Sequence, residues 1–209
     1  MTEKPEQHTV FRRIADKGKI TFAEFMESAL YSPLDGYYFN SGRDYPPTDY
    51  FTSPMAHPTF AALIAVQLEE MWTTLGNPSQ FTVIEQGAGS GHLGKYIRQY
   101  ANNLDPSFNN SLNYIELDRS FGASSLDLNE VAPNKIIGCI ISNELLDAFP
   151  FHRVKMEKGQ LQEIYVTTLN GSIVEVLGSL SQIALQLRLQ NDRVDLKEGQ
   201  IAEISLNLD

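Results

Sequence analysis

The stretch Phe81-Thr82-Val83-Ile84-Glu85-Gln86-Gly87-Ala88-Gly89-Ser90-Gly91-His92-Leu93-Gly94 decides the fold. Phe81–Glu85 is a short apolar run of strand character that ends in an acid, and it runs directly into three alternating glycines, Gly87, Gly89 and Gly91. Leu93, Tyr96, Ile97 and Tyr100 then repeat at helical spacing. Strand, glycine turn and helix together predict an α/β fold and a ligand-binding unit. Glycines open backbone angles closed to other residues and let a ligand approach the main chain. The helix that follows aims its free N–H groups and positive dipole end at the same place. Two further strands are expected, Asn113–Leu117 and Ile136–Ser142, the second apolar enough to lie buried in a sheet. Glu116 ends the run Tyr114-Ile115-Glu116, 25 positions after Gly91, where an acid in such folds receives ribose hydroxyls.

Taken alone, the loop leaves three readings open: S-adenosylmethionine, a dinucleotide, or no ligand. Gly89-Ser90-Gly91-His92-Leu93-Gly94 also satisfies the dinucleotide fingerprint G-x-G-x-x-G. Glu85 tilts the balance. An acid just ahead of the glycines suits a ligand carrying an ammonium and a sulfonium, and it repels a pyrophosphate. The nucleophile-elbow pattern G-x-S-x-G fails around Ser90, because position 88 is Ala and 92 is His, so hydrolase chemistry is not expected.

On the N-terminal side, Val10, Phe11 and Ile14 predict a short helix ended by Gly18, and Thr21-Phe22-Ala23-Glu24 matches a capping box ahead of a second helix. A loop rich in Gly, Pro, Tyr and Asp follows to Pro54, and Pro58 is placed to open the helix that runs from Phe60 to Leu75. Beyond Pro150 the pattern turns to a β-hairpin: Val154–Met156, a turn at Lys158-Gly159, then Leu161–Thr168. Ile173–Leu177 adds a strand, Ser179–Leu189 reads as helix and Ile201–Leu206 as extended chain.

Of 209 residues, 42% are apolar, a globular composition. The net charge of −10 argues against nucleic-acid binding and against docking on anionic membranes. No apolar run approaches the roughly 18 residues a membrane span needs. The single cysteine, Cys139, excludes an internal disulfide and a cysteine-cluster metal site, and it reads as a buried small hydrophobe. No metal site is expected. His57 and His92 lack partners at metal or triad spacing and read as structural or surface residues. Met1–Val10 shows neither a secretory nor a transit signal, so the expected location is cytoplasmic.

Several segments together carry a family resemblance: Ile20-Thr21-Phe22 with Phe25-Met26; Ala29-Leu30-Tyr31-Ser32-Pro33 with Gly36-Tyr37-Tyr38; Asp49-Tyr50-Phe51-Thr52-Ser53-Pro54; Glu85 through Gly91; and Ser142-Asn143-Glu144-Leu145-Leu146-Asp147-Ala148-Phe149-Pro150. In order and spacing the chain resembles the MidA-like methyltransferases from about residue 20 to 168. These are related to a mitochondrial assembly factor that methylates an arginine of a respiratory complex I subunit. The resemblance implies a Rossmann-like class I methyltransferase core, S-adenosyl-L-methionine as cofactor, and an arginine of a protein substrate, with a respiratory complex subunit as the partner it offers. Cofactor contacts are then expected from Glu85, Gly87, Ala88, Gly89, Gly91 and Glu116, and by resemblance from Thr52 and Ser53. The substrate guanidinium is assigned to Glu144 as main ligand, Asp147 as its partner and Asn143 as a further hydrogen-bonding group. Glu144 and Asp147, at i and i+3, share a face if that turn is helical; the alternative is that Asn143 and Asp147 cap a short helix.

Two departures mark the core as shortened. Residues 118–135 number 18, too few for the usual helix, strand and helix, which leaves Asp127 a weak candidate for an adenine contact. The chain also stops at Asp209, where the family continues with more strands. The expected organisation is an N-terminal helical extension with a site-covering loop over 1–78, a cofactor-binding core over 79–150, and an inserted β-hairpin and helix over 151–209, with the core incomplete at the C-terminus. The rival functions are a non-catalytic assembly protein that keeps the fold and an NAD(P)- or FAD-binding oxidoreductase.

Overall fold

The computed structural model describes residues 8–38, 52–118 and 136–207. The elements in order are α1 (Thr9–Lys17), β1 (Ile20–Thr21), α2 (Phe22–Tyr31), α3 (Ser53–Ala56), α4 (Thr59–Thr74), β2 (Phe81–Gln86), α5 (His92–Ala101), α6 (Pro106–Ser111), β3 (Leu112–Leu117), β4 (Gly138–Ser142), a 3-10 turn (Leu146–Ala148), β5 (His152–Glu157), β6 (Gln160–Leu169), β7 (Ser172–Gly178), α7 (Ala184–Asn191) and β8 (Ile201–Ile204). Local signals account for many of the ends. The capping box at α2 is complete: Glu24 N–H donates to Thr21 Oγ1 at 3.1 Å and Thr21 N–H to Glu24 Oε2 at 3.0 Å. α6 opens on Asp105, whose carboxylate accepts from Ser107 N–H at 2.6 Å, with Pro106 following as the first helical residue. Pro58 caps α4 instead of starting it.

The chain divides into two compact units. One is the middle of the chain, Gly42–Asp147; the other joins the segment up to Ser41 to the segment from Ala148 on. These divisions fall elsewhere than at residues 78 and 150. The helix α4 belongs to the middle unit, and α1 and α2 belong with the C-terminal strands.

In the middle unit three parallel strands lie in the order β3-β2-β4. The register sets Val83 beside Tyr114 and Cys139, and Glu85 beside Glu116 and Ile141. One face of this sheet is covered by α4 and α5. Ala61, Ala65, Leu68 and Trp72 from α4 and Leu93, Ile97 and Ala101 from α5 close over Phe81, Val83 and Phe108. Burying each of the larger side chains is worth about 1.5–3 kcal/mol, and together they hold β2 and α5 rigidly at the two ends of the glycine loop. The strand expected over Ile136–Ser142 starts only at Gly138 and is not buried throughout: Ile140 is 61% exposed. Among the described residues β4 pairs with β2 alone. Cys139 and Ile141 face the helices, whereas Ile140 faces the other way.

The second unit is an antiparallel sheet in the order β1-β6-β5-β8, with β7 along the other edge of β6. The β5–β6 hairpin turns at Lys158 and Gly159, both with positive φ, as a two-residue hairpin turn requires. The two-residue strand β1 pairs Ile20 with Val166 and Thr21 with Tyr165. That pairing ties α1 and α2 to the sheet through a core of Val10, Ile14, Ile20 and Val166. α7 packs Leu185 and Leu189 on Val154 and Ile204. It begins later than the helix expected from Ser179, because Ser181 N–H is drawn to the fully buried Glu163 at 2.5 Å, which also accepts from His152 Nδ1 at 2.7 Å. These partners hold the Glu163 carboxyl below its ordinary range despite its burial.

Candidate functional site

The glycine loop lies between β2 and α5. Gly87, Gly89 and Gly91 all have positive φ, at 71°, 54° and 72°, a region that strains any other residue at alternate positions. The turn is tied to the end of β3: the N–H groups of Gly87 and Ala88 donate to the Leu117 carbonyl at 2.9 and 3.2 Å. Gly91 N–H donates to the Ala88 carbonyl at 2.9 Å, and Gly91 caps α5. Gly87 has a second constraint. A Cβ there would lie 2.8 Å from Leu145 Cδ1, so the segment after β4 packs directly on the loop.

Three carboxylates converge on this turn. Asp118 Oδ2 accepts from Gly89 N–H at 2.8 Å. Glu116 accepts from Arg98 Nη2 at 2.7 Å, and its two oxygens lie over Gly91 and Gly94, where a Cβ would come within 3.0 and 2.5 Å of them. Glu85, only 3% exposed, lies on the helix-covered face beneath the first turn of α5 and accepts from the Tyr114 hydroxyl at 2.8 Å. Burial pushes its carboxyl up to about 7; the Tyr114 hydroxyl bond counters this in part, while the nearby Glu116 charge adds to it. The same burial, with the Glu85 charge, drives the Tyr114 phenol well above its ordinary range, so its proton stays in place to donate.

The expected residues divide by how the fold gathers them. Glu85, Gly87, Ala88, Gly89, Gly91 and Glu116 come together at the loop. Thr52 caps the short helix α3 by its backbone, accepting from Ala56 N–H at 3.0 Å, and α3 lies against α5, so Thr52 and Ser53 stand beside the helix that leaves the loop. Asn143, Glu144 and Asp147 follow β4, but the face-sharing helix does not form. Glu144 lies outside any helix with φ 51°, and Asp147 sits in a three-residue 3-10 turn. Both carboxylates are exposed. Leu145, between them, is the residue that touches Gly87. His57 Nδ1 is engaged by Thr59 Oγ1 at 2.7 Å, and His92 Nδ1 meets Ser90 Oγ; both contacts are local, two residues apart. Asp49, Tyr50, Phe51 and Asp127 lie outside the described residues.

Three participants escape the sequence reading: Asp118, Tyr114 and Arg98. The signal for Tyr114 was available, since it stands two residues before Glu116 and so on the same face of β3. Among the described residues no group of three or more His, Cys, Asp or Glu side chains is placed to hold a metal ion, and no helix is long and apolar enough to cross a membrane.

Comparison with known proteins places this geometry. Residues 63–209 match the family model of the S-adenosyl-L-methionine-dependent methyltransferases. The Drosophila melanogaster protein "Protein arginine methyltransferase NDUFAF7 homolog, mitochondrial" is 25% identical over 189 residues, which cover 74% of this chain and 43% of that protein. The Homo sapiens protein of the corresponding name is 31% identical over 87 residues, covering 42% of this chain and 20% of that protein. A crystal structure of a Burkholderia thailandensis protein bound to S-adenosyl-homocysteine superposes with a TM-score of 0.68 at 25% identity, covering 92% of this chain and 54% of that one. The chain thus spans about half the length of the proteins it matches, or less. The expectation of a cytoplasmic location is overturned, because these curated relatives are mitochondrial proteins by name.

Proposed function

The chain belongs to the family of S-adenosyl-L-methionine-dependent methyltransferases, and from that premise we propose that it binds S-adenosyl-L-methionine on the glycine loop and transfers the methyl group to an arginine of a protein substrate. One observation carries the cofactor assignment: Glu85, Glu116 and Asp118 converge on the loop, and Asp118 already holds the Gly89 N–H. In a dinucleotide site that kind of N–H receives a pyrophosphate. Here a pyrophosphate would meet three acids, whereas a ligand with a sulfonium and an ammonium is attracted to them. The residues present therefore fit this cofactor and disfavour the oxidoreductase reading. Gly94, the third glycine of the dinucleotide fingerprint, serves packing: its missing Cβ makes room for Glu116 and Tyr114.

When bound, the cofactor supplies an electrophilic methyl carbon on a positively charged sulfur. The chain's own residues do the rest. The backbone of Gly87, Ala88, Gly89 and Gly91 allows close approach, and Glu116 offers carboxylate oxygens to ribose hydroxyls. Thr52 and Ser53 flank the site from α3. Glu144 would take the substrate guanidinium, with Asp147 and Asn143 as further ligands, and would orient one of its nitrogens for methylation, the proton that this nitrogen loses passing to water at the exposed Glu144 position. Positioning of this kind supplies several kcal/mol of barrier reduction. The proposed fold is a shortened Rossmann-like class I core, and the proposed partner is a protein, for which the resemblance offers a respiratory complex subunit.

Calorimetric titration with S-adenosylhomocysteine and, separately, with NAD tests the reading. Binding of the first and not the second is expected. NAD binding without S-adenosylhomocysteine binding rejects it, and cofactor binding with no methylation of any arginine-containing partner favours a non-catalytic assembly role.

A further inference from the structure

We infer that Arg98 is a positioning residue that fixes the carboxylate of Glu116 for the ribose hydroxyls of the cofactor, an inference that rests on the reading just given. Arg98 lies on α5, four residues after Gly94, so the two share the helix face turned to β3. Its Nη2 donates to Glu116 Oε1 at 2.7 Å, and its guanidinium carbon stands 5.2 Å from the centre of the Tyr114 ring. Tyr114 in turn donates to Glu85. One cation thus binds the second acid of the cluster directly and packs on the aromatic ring that holds the first.

The two oxygens of Glu116 have different surroundings. Oε1 faces Arg98 and the space above Gly94; Oε2 faces Gly91, at the rim of the glycine loop. With Arg98 in place, Oε1 is engaged and Oε2 is presented at the loop. Without it, Oε1 loses that donor, and the partly exposed carboxylate is free to rotate away from the loop.

A purely stabilising role does not suit the pair. Its side chains are 46% and 29% exposed, and exposed ion pairs contribute little to folding. Orientation of a charged acceptor matters far more to a ligand that must bind it with defined geometry.

The experiment is a cycle of binding measurements by calorimetry on the full 209-residue chain. The variants are Arg98→Met, Arg98→Lys, Glu116→Gln and the Arg98→Met/Glu116→Gln double. The ligands are S-adenosylhomocysteine and its 2′,3′-dideoxy analogue, and thermal melts check that each variant folds. Arg98→Met is expected to weaken S-adenosylhomocysteine binding about tenfold, to leave the dideoxy analogue unaffected, and to add nothing once Glu116 is Gln; Arg98→Lys restores part of the loss. Equal losses for both ligands, or additive losses in the double variant, overturn the inference while leaving the cofactor reading intact. A wild-type chain that does not take S-adenosylhomocysteine overturns both, and shows it before any variant is compared.

Discussion

Glu85→Gln offers a direct test of the electrostatics beneath the glycine loop. Glu85 is 3% exposed, and its carboxyl is raised from an ordinary 4.5 to about 7, mainly because burial penalises the charged form. A group whose folded pKa is raised binds its proton more tightly in the folded state. Its contribution to stability is fully present below pH 4.5, where both states are protonated, and is lost as pH rises to about 7. A rise from 4.5 to about 7 corresponds to about 3 kcal/mol. Gln keeps the shape, gives the Tyr114 hydroxyl an amide oxygen to donate to, and stays neutral at every pH. The variant and the wild type should therefore differ by less than about 1 kcal/mol in stability at pH 5, and the variant should be more stable by about 3 kcal/mol at pH 8. Urea denaturation at pH 5, 6, 7 and 8 measures this, provided the slope with denaturant is unchanged between the two proteins. If the curves run parallel in pH, with Gln equally destabilising throughout, then Glu85 is a charged residue already satisfied by Tyr114 and the first turn of α5, and the burial argument fails.

Two further outcomes follow from named contacts. Glu144→Gln should leave S-adenosylhomocysteine affinity unchanged, since Glu144 is outside the loop, but lower methyl transfer to an arginine-containing protein about a hundredfold in single turnover with labelled cofactor; equal rates reject its role. At Gly138 a Cβ would overlap the Thr82 carbonyl oxygen on the neighbouring strand, so Gly138→Ala should lower stability by about 3 kcal/mol in urea denaturation, and an unchanged midpoint would show that β4 can shift without cost.

What the sequence reveals about this fold is what depends on neighbouring residues. The capping box at Thr21, the turn at Lys158 and Gly159 and the strand–glycine–helix unit all rest on contacts within a few positions, and all are present. The contacts that organise the site are of another kind. Asp118 reaches Gly89 across 29 positions, Tyr114 reaches Glu85 across 29, and Arg98 reaches Glu116 across 18. Each needs the register that sets Glu85 beside Glu116 in parallel strands, and a one-residue slip would turn Tyr114 and Glu116 to the other face. The pairing of β1 with β6 is more remote still: two residues carry no periodicity, yet they assign α1 and α2 to the C-terminal sheet. The failed helix at Glu144 joins a local conformation to a remote contact. Glu144 takes a left-handed conformation and Leu145 turns onto Gly87, which ends any helix before it starts.

The acid cluster also explains how one arrangement bears on both stability and ligand choice. A fold selected for stability alone would not bury Glu85 beside a strand that carries Glu116 and is followed by Asp118, because above pH 7 the buried charge costs several kcal/mol that a neutral residue would not. Arg98 offsets one of the three charges and is itself half in water. The remaining excess negative charge lies against a backbone turn whose glycines leave room for a ligand to approach. On the proposed reading, a cationic ligand relieves that excess on binding, whereas an anionic one increases it. Local rules of sequence and stability are broken most often where a site must be held ready for a ligand, and here the breach lies against a turn with positive φ at Gly87, Gly89 and Gly91.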